Sequence, residues 1–369
     1  RCFMNLSIRF PNISAYFEGM NKSFTVFGFE ITVYGILVAV GMLFGLAVIM
    51  LQVRKHKENP NLYLGMVLVS LIGGLIGARL YYLAFSWESF SGKPWTELIN
   101  IRGGGFAIYG GIFGGALAGF IYCKIRKVSF GQMADTVSIG LLTGQIIGVW
   151  GNAFNREAFG EYTDSLFAMQ IPLESVHSSA VTKQMRDNLV MVLDEPFIQV
   201  HPLFFYESIW CLLLLIVLLI LGRRKSFQGE IFLRYLAGYG LGKCGIEWLR
   251  TDSLYIPGTK ISVSLLVSAV LFLVCGVTAS VRHILSRKRN ALRSRRREEA
   301  YAPDENTDGS RLTDVQNFEN VQDEFKEILD RPETSAPSEQ TEPEDQKQEG
   351  SSETASAQPE TGPDHDQTE

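Results

Sequence analysis

The sequence predicts an all-α integral membrane protein of seven transmembrane helices. Its N-terminus lies outside, its C-terminus is cytoplasmic, and it carries a small extracytoplasmic cap and a disordered acidic tail. Three observations lead there. Seven apolar windows long enough to cross a bilayer recur before residue 290. The loops between them alternate between basic ones and ones that carry few Lys or Arg for their length. The composition then changes abruptly: residues 301–369 hold 20 acidic and 4 basic residues, against 19 acidic and 30 basic in residues 1–300.

The windows fall near residues 30–53, 62–85, 104–123, 133–151, 203–222, 230–249 and 262–284. Two are rich in glycine, "LIGGLIGARL" and "YGGIFGGALAGF". Small residues let membrane helices approach closely, so these stretches are expected to be helix–helix contact faces. Basic loops follow windows one ("VRKHKENP"), three ("CKIRKVS"), five ("GRRKSF") and seven ("RHILSRKRNALRSRRR"). Alternation places all four on the cytoplasmic side. Residues 152–202 form the largest outside loop, too short for an ordinary independent domain and expected to cap the outer mouth of the bundle.

The implied domain division is 1–290 for the membrane domain and 291–369 for a basic, then acidic, cytoplasmic tail. Such a tail cannot bury enough apolar surface to offset its chain entropy. Within it Val315, Phe318, Phe325 and Leu329 recur at helical spacing, a candidate amphipathic partner site between Leu312 and Leu329. No signal peptide is expected before the first window. Five cysteines (Cys2, Cys123, Cys211, Cys244, Cys275) form no CxxC pair, and five histidines show no ligand spacing, so neither a disulfide framework nor a metal site is expected.

Ionisable groups inside a span are costly unless they pair or face water, which makes each a functional candidate. Arg79 lies in window two, Glu207 at the outer start of window five, and Lys243 and Glu247 in window six. On a helix Tyr239, Lys243, Glu247 and Arg250 share one face, which must turn to the bundle interior. A structural Lys–Glu pair joining two helices would account for part of this stripe without chemistry. At the outer end of window four stands "GVWGNAFNREAFG", Gly148 to Gly160. Its glycines permit tight turns, and Asn152, Asn155 and Glu157 place donors and acceptors at headgroup depth. A helix end satisfying its own carbonyls would not need so many polar groups; a phospholipid headgroup site fits better.

Taken in order, "VYGI", "GARLYY", "GGFAIYGG", "GQIIGVWGNAFNREAFG", "HPLFFYES" and "GYGLGKCGIEWLRTDSL" resemble the bacterial prolipoprotein diacylglyceryl transferase family over roughly residues 10–285. The fourth stretch is similar to the family signature Gly-Arg-x-Gly-Asn-Phe-x-Asn-x-Glu-x-x-Gly. The resemblance implies a multi-pass enzyme of the bacterial plasma membrane. Such enzymes move a diacylglyceryl group from phosphatidylglycerol to the lipobox cysteine thiol of a prolipoprotein. It implies no cofactor and no nucleic acid. The implied partners are phosphatidylglycerol, membrane lipids and a prolipoprotein signal peptide, with a cytoplasmic partner for the tail left open.

By that resemblance Tyr34, Tyr109, Lys243 and Glu247 are the expected catalytic residues. Val149, Asn152, Glu157, Gly160, Arg79, Tyr239 and Arg250 are the expected phospholipid-binding positions. Tyr109 falls where part of the family has His and other members Tyr. Two positions depart more sharply: Val149 replaces the signature Arg, and Lys243 replaces a family Arg. Val supplies no charge, and Lys keeps the charge without the planar fork. Arg156 is a neighbouring cation that would stand in for the first. The alternative reading is a diverged, catalytically weakened relative that binds phospholipid or signal peptides. A transporter would need two repeated halves with broken helices, and the sequence has no internal repeat.

Overall fold

The computed structural model describes residues 6–301, apart from 93, 95, 97, 99–103, 254, 256–257 and 260–261. The acidic tail with its Leu312–Leu329 segment, Cys2 and His365 lie outside the described residues. The chain divides into two units, Arg1–Ala300 and Tyr301–Glu369.

Seven long helices organise the described residues: α1 Val33–Lys55, α2 Pro60–Phe85, α3 Ile108–Ile125, α4 Phe130–Gly148, α5 Leu203–Gly222, α6 Glu230–Leu249 and α7 Val263–Tyr301. They follow the seven apolar windows closely. Six of them are long and apolar enough to cross a membrane. The exception is α6, which has 20 residues but carries Glu230, Arg234, Lys243 and Glu247. The seventh helix does not stop where the apolar run ends: α7 continues through its basic segment to Tyr301.

Local chemistry sets the helix starts. Thr32 caps α1 by accepting the Gly35 N–H at 3.2 Å. Asn59 caps α2, with Pro60 in the first turn where a missing N–H costs nothing. Ser129 caps α4.

Glycine fixes the helix pairing. A Cβ on Gly77 would stand 2.5 Å from the Gly110 carbonyl oxygen, and one on Gly114 2.5 Å from that of Gly73, so α2 and α3 meet backbone to backbone. The two glycine-rich stretches are therefore contact faces, as expected. The pair α1 and α4 meets similarly through Gly41 and Gly45 against Gly144 and Gly140. Trp210 of α5 lies against Gly242 of α6 and donates to the Gly238 carbonyl at 2.9 Å.

Strands, which the sequence pattern does not announce, build the rest. β3 (Ser23–Val26) and β4 (Phe29–Thr32) form a hairpin whose turn, Phe27–Gly28, has both residues at positive φ. It runs directly into α1, which is why that helix starts at Val33 rather than at 30. Phe27 at its tip is 97% exposed, and Phe24 and Phe29 are exposed beside it.

A second sheet has the order β2-β1-β5-β7-β6 and is antiparallel throughout. Residues 152–202 supply β5 (Met169–Pro172), β6 (Val190–Val192) and β7 (Glu195–Val200). The N-terminal segment supplies β1 (Leu6–Phe10) and β2 (Ala15–Glu18). Ile8, Ile171, Ile198 and Val200 from its strands are buried with Phe159 and Phe204, so the sheet packs onto the end of the signature segment and the start of α5. Burying four aliphatic side chains stabilises this junction by about 1.5–3 kcal/mol each.

Candidate active site at the sheet end of the bundle

α4 ends at Gly148, but Val149 and Trp150 keep right-handed helical backbone, and the chain turns only after Asn155. Gly151–Asn155 form one short helix, and Arg156 (φ 56°) and Ala158 (φ 56°) are both left-handed. Such backbone costs about 1–2 kcal/mol per non-glycine residue, so outside contacts must hold it. Asp252, just beyond α6, provides one: its Oδ2 accepts the Ala158 N–H at 3.1 Å. Gly160 provides another: its N–H donates to the His201 carbonyl at 3.0 Å, and it pairs in antiparallel fashion with Arg250. A Cβ at Gly160 would lie 2.8 Å from the His201 Cβ, which excludes larger residues.

Tyr34, in the first turn of α1, packs on this segment. A Cβ on Gly151 would collide with the Tyr34 ring, so the glycine is the ring's seat. Its hydroxyl lies within electrostatic reach of the Glu157 and Glu207 carboxylates. Glu157 accepts from the Asn155 side chain at 3.0 Å. The Asn152 carbonyl accepts the Glu157 N–H at 3.1 Å, while its side-chain amide makes no hydrogen bond to a described residue.

Glu207 joins α5 to α6. It is 5% exposed, accepts the Tyr239 hydroxyl at 3.1 Å and pairs with the Lys243 ammonium at 2.7 Å. So Lys243 does form the structural Lys–Glu pair joining two helices, with Glu207 as its partner. One turn on, buried Glu247 accepts the Ser253 hydroxyl at 2.5 Å and lies 3.7 Å from Arg250. Its second oxygen, Oε2, is buried without a hydrogen bond. This is the oxygen that faces the Arg250 guanidinium at 3.7 Å, an ion pair without a hydrogen bond, so it has room for a hydrogen-bond donor from outside. Arg250 donates to Asp252 at 2.6 Å. Burial works against its charge, but the Asp252 hydrogen bond and charge, with Glu247 and Glu207, outweigh that and raise its pKa. It is a permanent cation.

Tyr34, Asn152, Glu157 and Gly160, from the start of α1 and the signature segment, thus meet the α6 face of Tyr239, Lys243, Glu247 and Arg250 where Arg250 pairs with Gly160 and Asp252 holds Ala158. Val149 caps α4 beside them and adds only hydrocarbon. Arg79 and Tyr109 are engaged elsewhere. Arg79 donates to the carbonyls of Leu98 (2.8 Å), Gly104 (2.6 Å) and Gly105 (3.1 Å), and lies near the rings of Tyr82, Phe90 and Phe106. Tyr109 is 3.1 Å from the Ser264 hydroxyl of α7. Arg156 donates to the Met20 carbonyl at 3.0 Å, and burial lowers its pKa. Sequence reasoning leaves Asp252 and Ser253 out of the site. It marks Glu207 as an intramembrane acid without assigning it a role, and that rarity is the available signal.

A multi-helix membrane bundle with a buried carboxylate–cation network under one end is the class of an integral membrane enzyme or lipid-binding protein. A profile described as prolipoprotein diacylglyceryl transferase matches residues 21–281. A phosphatidylglycerol–prolipoprotein diacylglyceryl transferase of Clostridioides difficile (strain 630) is 34% identical over 268 residues, 73% of this chain and 96% of its own. One from Nostoc sp. (strain PCC 7120) is 37% identical over 235 residues, 62% of this chain and 78% of its own. A "transferase 1" of that name from Clostridium perfringens (strain 13) is 36% identical over 261 residues, 70% and 92% of the two chains. The chain belongs to the prolipoprotein diacylglyceryl transferase family.

Proposed function

We infer that the protein transfers the diacylglyceryl group of phosphatidylglycerol to the lipobox cysteine thiol of a prolipoprotein, the first step of lipoprotein maturation. The observation that carries this reading is the Glu207–Lys243–Tyr239 and Glu247–Arg250–Asp252 network beside the signature segment. It would offer two cations, each beside a carboxylate, and the Glu247 Oε2 acceptor to a headgroup.

In the reaction an S–C bond forms at the glyceryl carbon as the C–O bond of its C–O–P linkage breaks. The bond pair leaves with glycerol phosphate, which carries away the thiol proton. The leaving phosphate needs positive charge. We assign that role to Lys243 and Arg250, each already steered by a carboxylate. Glu247 Oε2 would accept a headgroup glycerol hydroxyl. The side chain of Asn152 would bind the phosphate, and Tyr34 would donate a hydrogen bond from above. Arg79, with its guanidinium on loop carbonyls, and Tyr109, on Ser264, would order α2, α3 and α7 beside the path by which the lipid arrives.

The membrane placement belongs to the same reading. α6 would cross as well, as the sixth of seven spans, because Glu207, Glu230 and Glu247 hold its cations inside the bundle. The N-terminus, sheet and signature would face outside, and the basic loops and residues 291–369 the cytoplasm of a bacterial cell. The exposed Phe24, Phe27 and Phe29 hairpin at the outer end of α1 would rest in the bilayer interface.

Transfer of labelled diacylglyceryl from phosphatidylglycerol to a lipobox peptide by the purified protein tests the function, with Val149→Arg alongside. Turnover by the unmodified chain is expected. Its absence, with rescue by Val149→Arg, would instead establish a member that kept the fold and lost the chemistry.

A further inference from the structure

At the end of the bundle away from the sheet, a cleft of about 770 Å³ opens between α7, the start of α4 and the loop joining α5 to α6. Arg282, Arg289 and Arg293 line it from α7. Steps of seven and four residues keep all three on one helical face, with Ser286 between them. Ser129 and Gln228 line the facing wall, and Phe232 and Leu233 give the cleft an apolar floor.

No acidic side chain lines it among the described residues. The two buried acids nearby are committed inward. Asp135 accepts the N–H groups of Gly229 and Phe232, both at 2.9 Å, and lies 3.7 Å from Lys225. Glu230 accepts the Ser226 N–H at 2.5 Å and pairs with Arg234 and with His283 at 2.7 Å. Arg282 lies over the Phe227 ring at 4.7 Å. The cleft is a concentration of positive charge without a counter-ion among the described residues.

Its depth indicates the occupant. At ~1.5 Å per residue, Arg282 lies about 28 Å along α7 from Val263, close to the ~30 Å thickness of a hydrocarbon core. The cleft therefore opens where the lipid phosphates of the far leaflet lie. We propose that it binds the headgroup of an anionic phospholipid of that leaflet, as a second lipid site separate from the signature site. Guanidinium groups clamp phosphate oxygens in pairs, and basic pockets at this level suit such headgroups. The apolar floor receives the glycerol backbone, which a free phosphate would leave uncovered. Naming the leaflet cytoplasmic rests on the orientation proposed above; the site itself does not.

The full chain, in phosphatidylcholine nanodiscs containing a minor fraction of phosphatidylglycerol, is released into a native mass spectrometer and its retained anionic lipids are counted. The unmodified chain should hold one more than Arg289→Ala/Arg293→Ala, and Arg289→Lys/Arg293→Lys should recover part of the difference because charge remains. Both arginines are exposed, so all three chains should share a thermal midpoint in neutral lipid. Equal counts overturn the proposal. So does displacement of the extra lipid by inorganic phosphate that itself binds in an arginine-dependent way, because the cleft would then take a free anion. The difference in count does not depend on turnover, so it survives or fails separately from the transferase reading.

Discussion

Lys243→Met is the substitution whose outcome the structure constrains most. The ammonium lies 2.7 Å from Glu207 Oε2, with the two side chains 21% and 7% exposed. Removing it leaves a buried carboxylate facing one neutral donor, the Tyr239 hydroxyl at 3.1 Å. Breaking a buried pair from one side costs about 3–5 kcal/mol, whereas replacing both members by neutral groups of similar volume is often close to neutral. Lys243→Met should therefore lose about 3–5 kcal/mol in detergent unfolding, and Glu207→Gln/Lys243→Met should regain most of it. Transfer of labelled diacylglyceryl to a lipobox peptide separates structure from chemistry. If Lys243 faces the leaving phosphate, the double variant is folded and inactive, and Lys243→Arg stays active. The pair argument is refuted if Lys243→Met is as stable as the double variant. The catalytic assignment is refuted if the double variant transfers at the unmodified rate.

Asp252→Ala should destabilise the signature turn by about 1.5–3 kcal/mol, because one carboxylate holds both Arg250 and the left-handed Ala158. Adding Ala158→Gly should return about 1 kcal/mol by relieving the backbone, read by the same unfolding assay. Gly77→Leu would drive a side chain into the α3 backbone 2.5 Å from its Cβ, and should cost about 1–3 kcal/mol or prevent insertion. His201 has a pKa below its ordinary value because burial disfavours the imidazolium, with Glu161 offsetting part of this. The unfolded chain therefore takes up that proton first, and stability should decline as pH falls below about 6.5. Thermal midpoints of His201→Gln across that window should show a shallower slope, with no difference at alkaline pH.

The sequence by itself determined the helices, since length and hydropathy are local properties and a bilayer imposes one span length on every window. It also marked the glycine-rich stretches holding Gly73–Gly77 and Gly110–Gly115 as contact faces, because small residues let membrane helices approach closely; which glycines meet came from the structure. The signature and its register were legible for the same reason, as a dense polar run at a fixed depth. Only the tertiary structure decided the pairings. β1 joins β5 across about 160 residues, through Arg9 and Gln170, and strands this short leave no alternation to read. Arg79 and Lys243 look equivalent in sequence, each a cation inside a span. The fold turns one toward loop carbonyls and the other toward Glu207. An ionisable residue in a membrane must find a partner, but which partner depends on the neighbouring helix. That is set by packing between elements far apart in the chain, which no local pattern encodes.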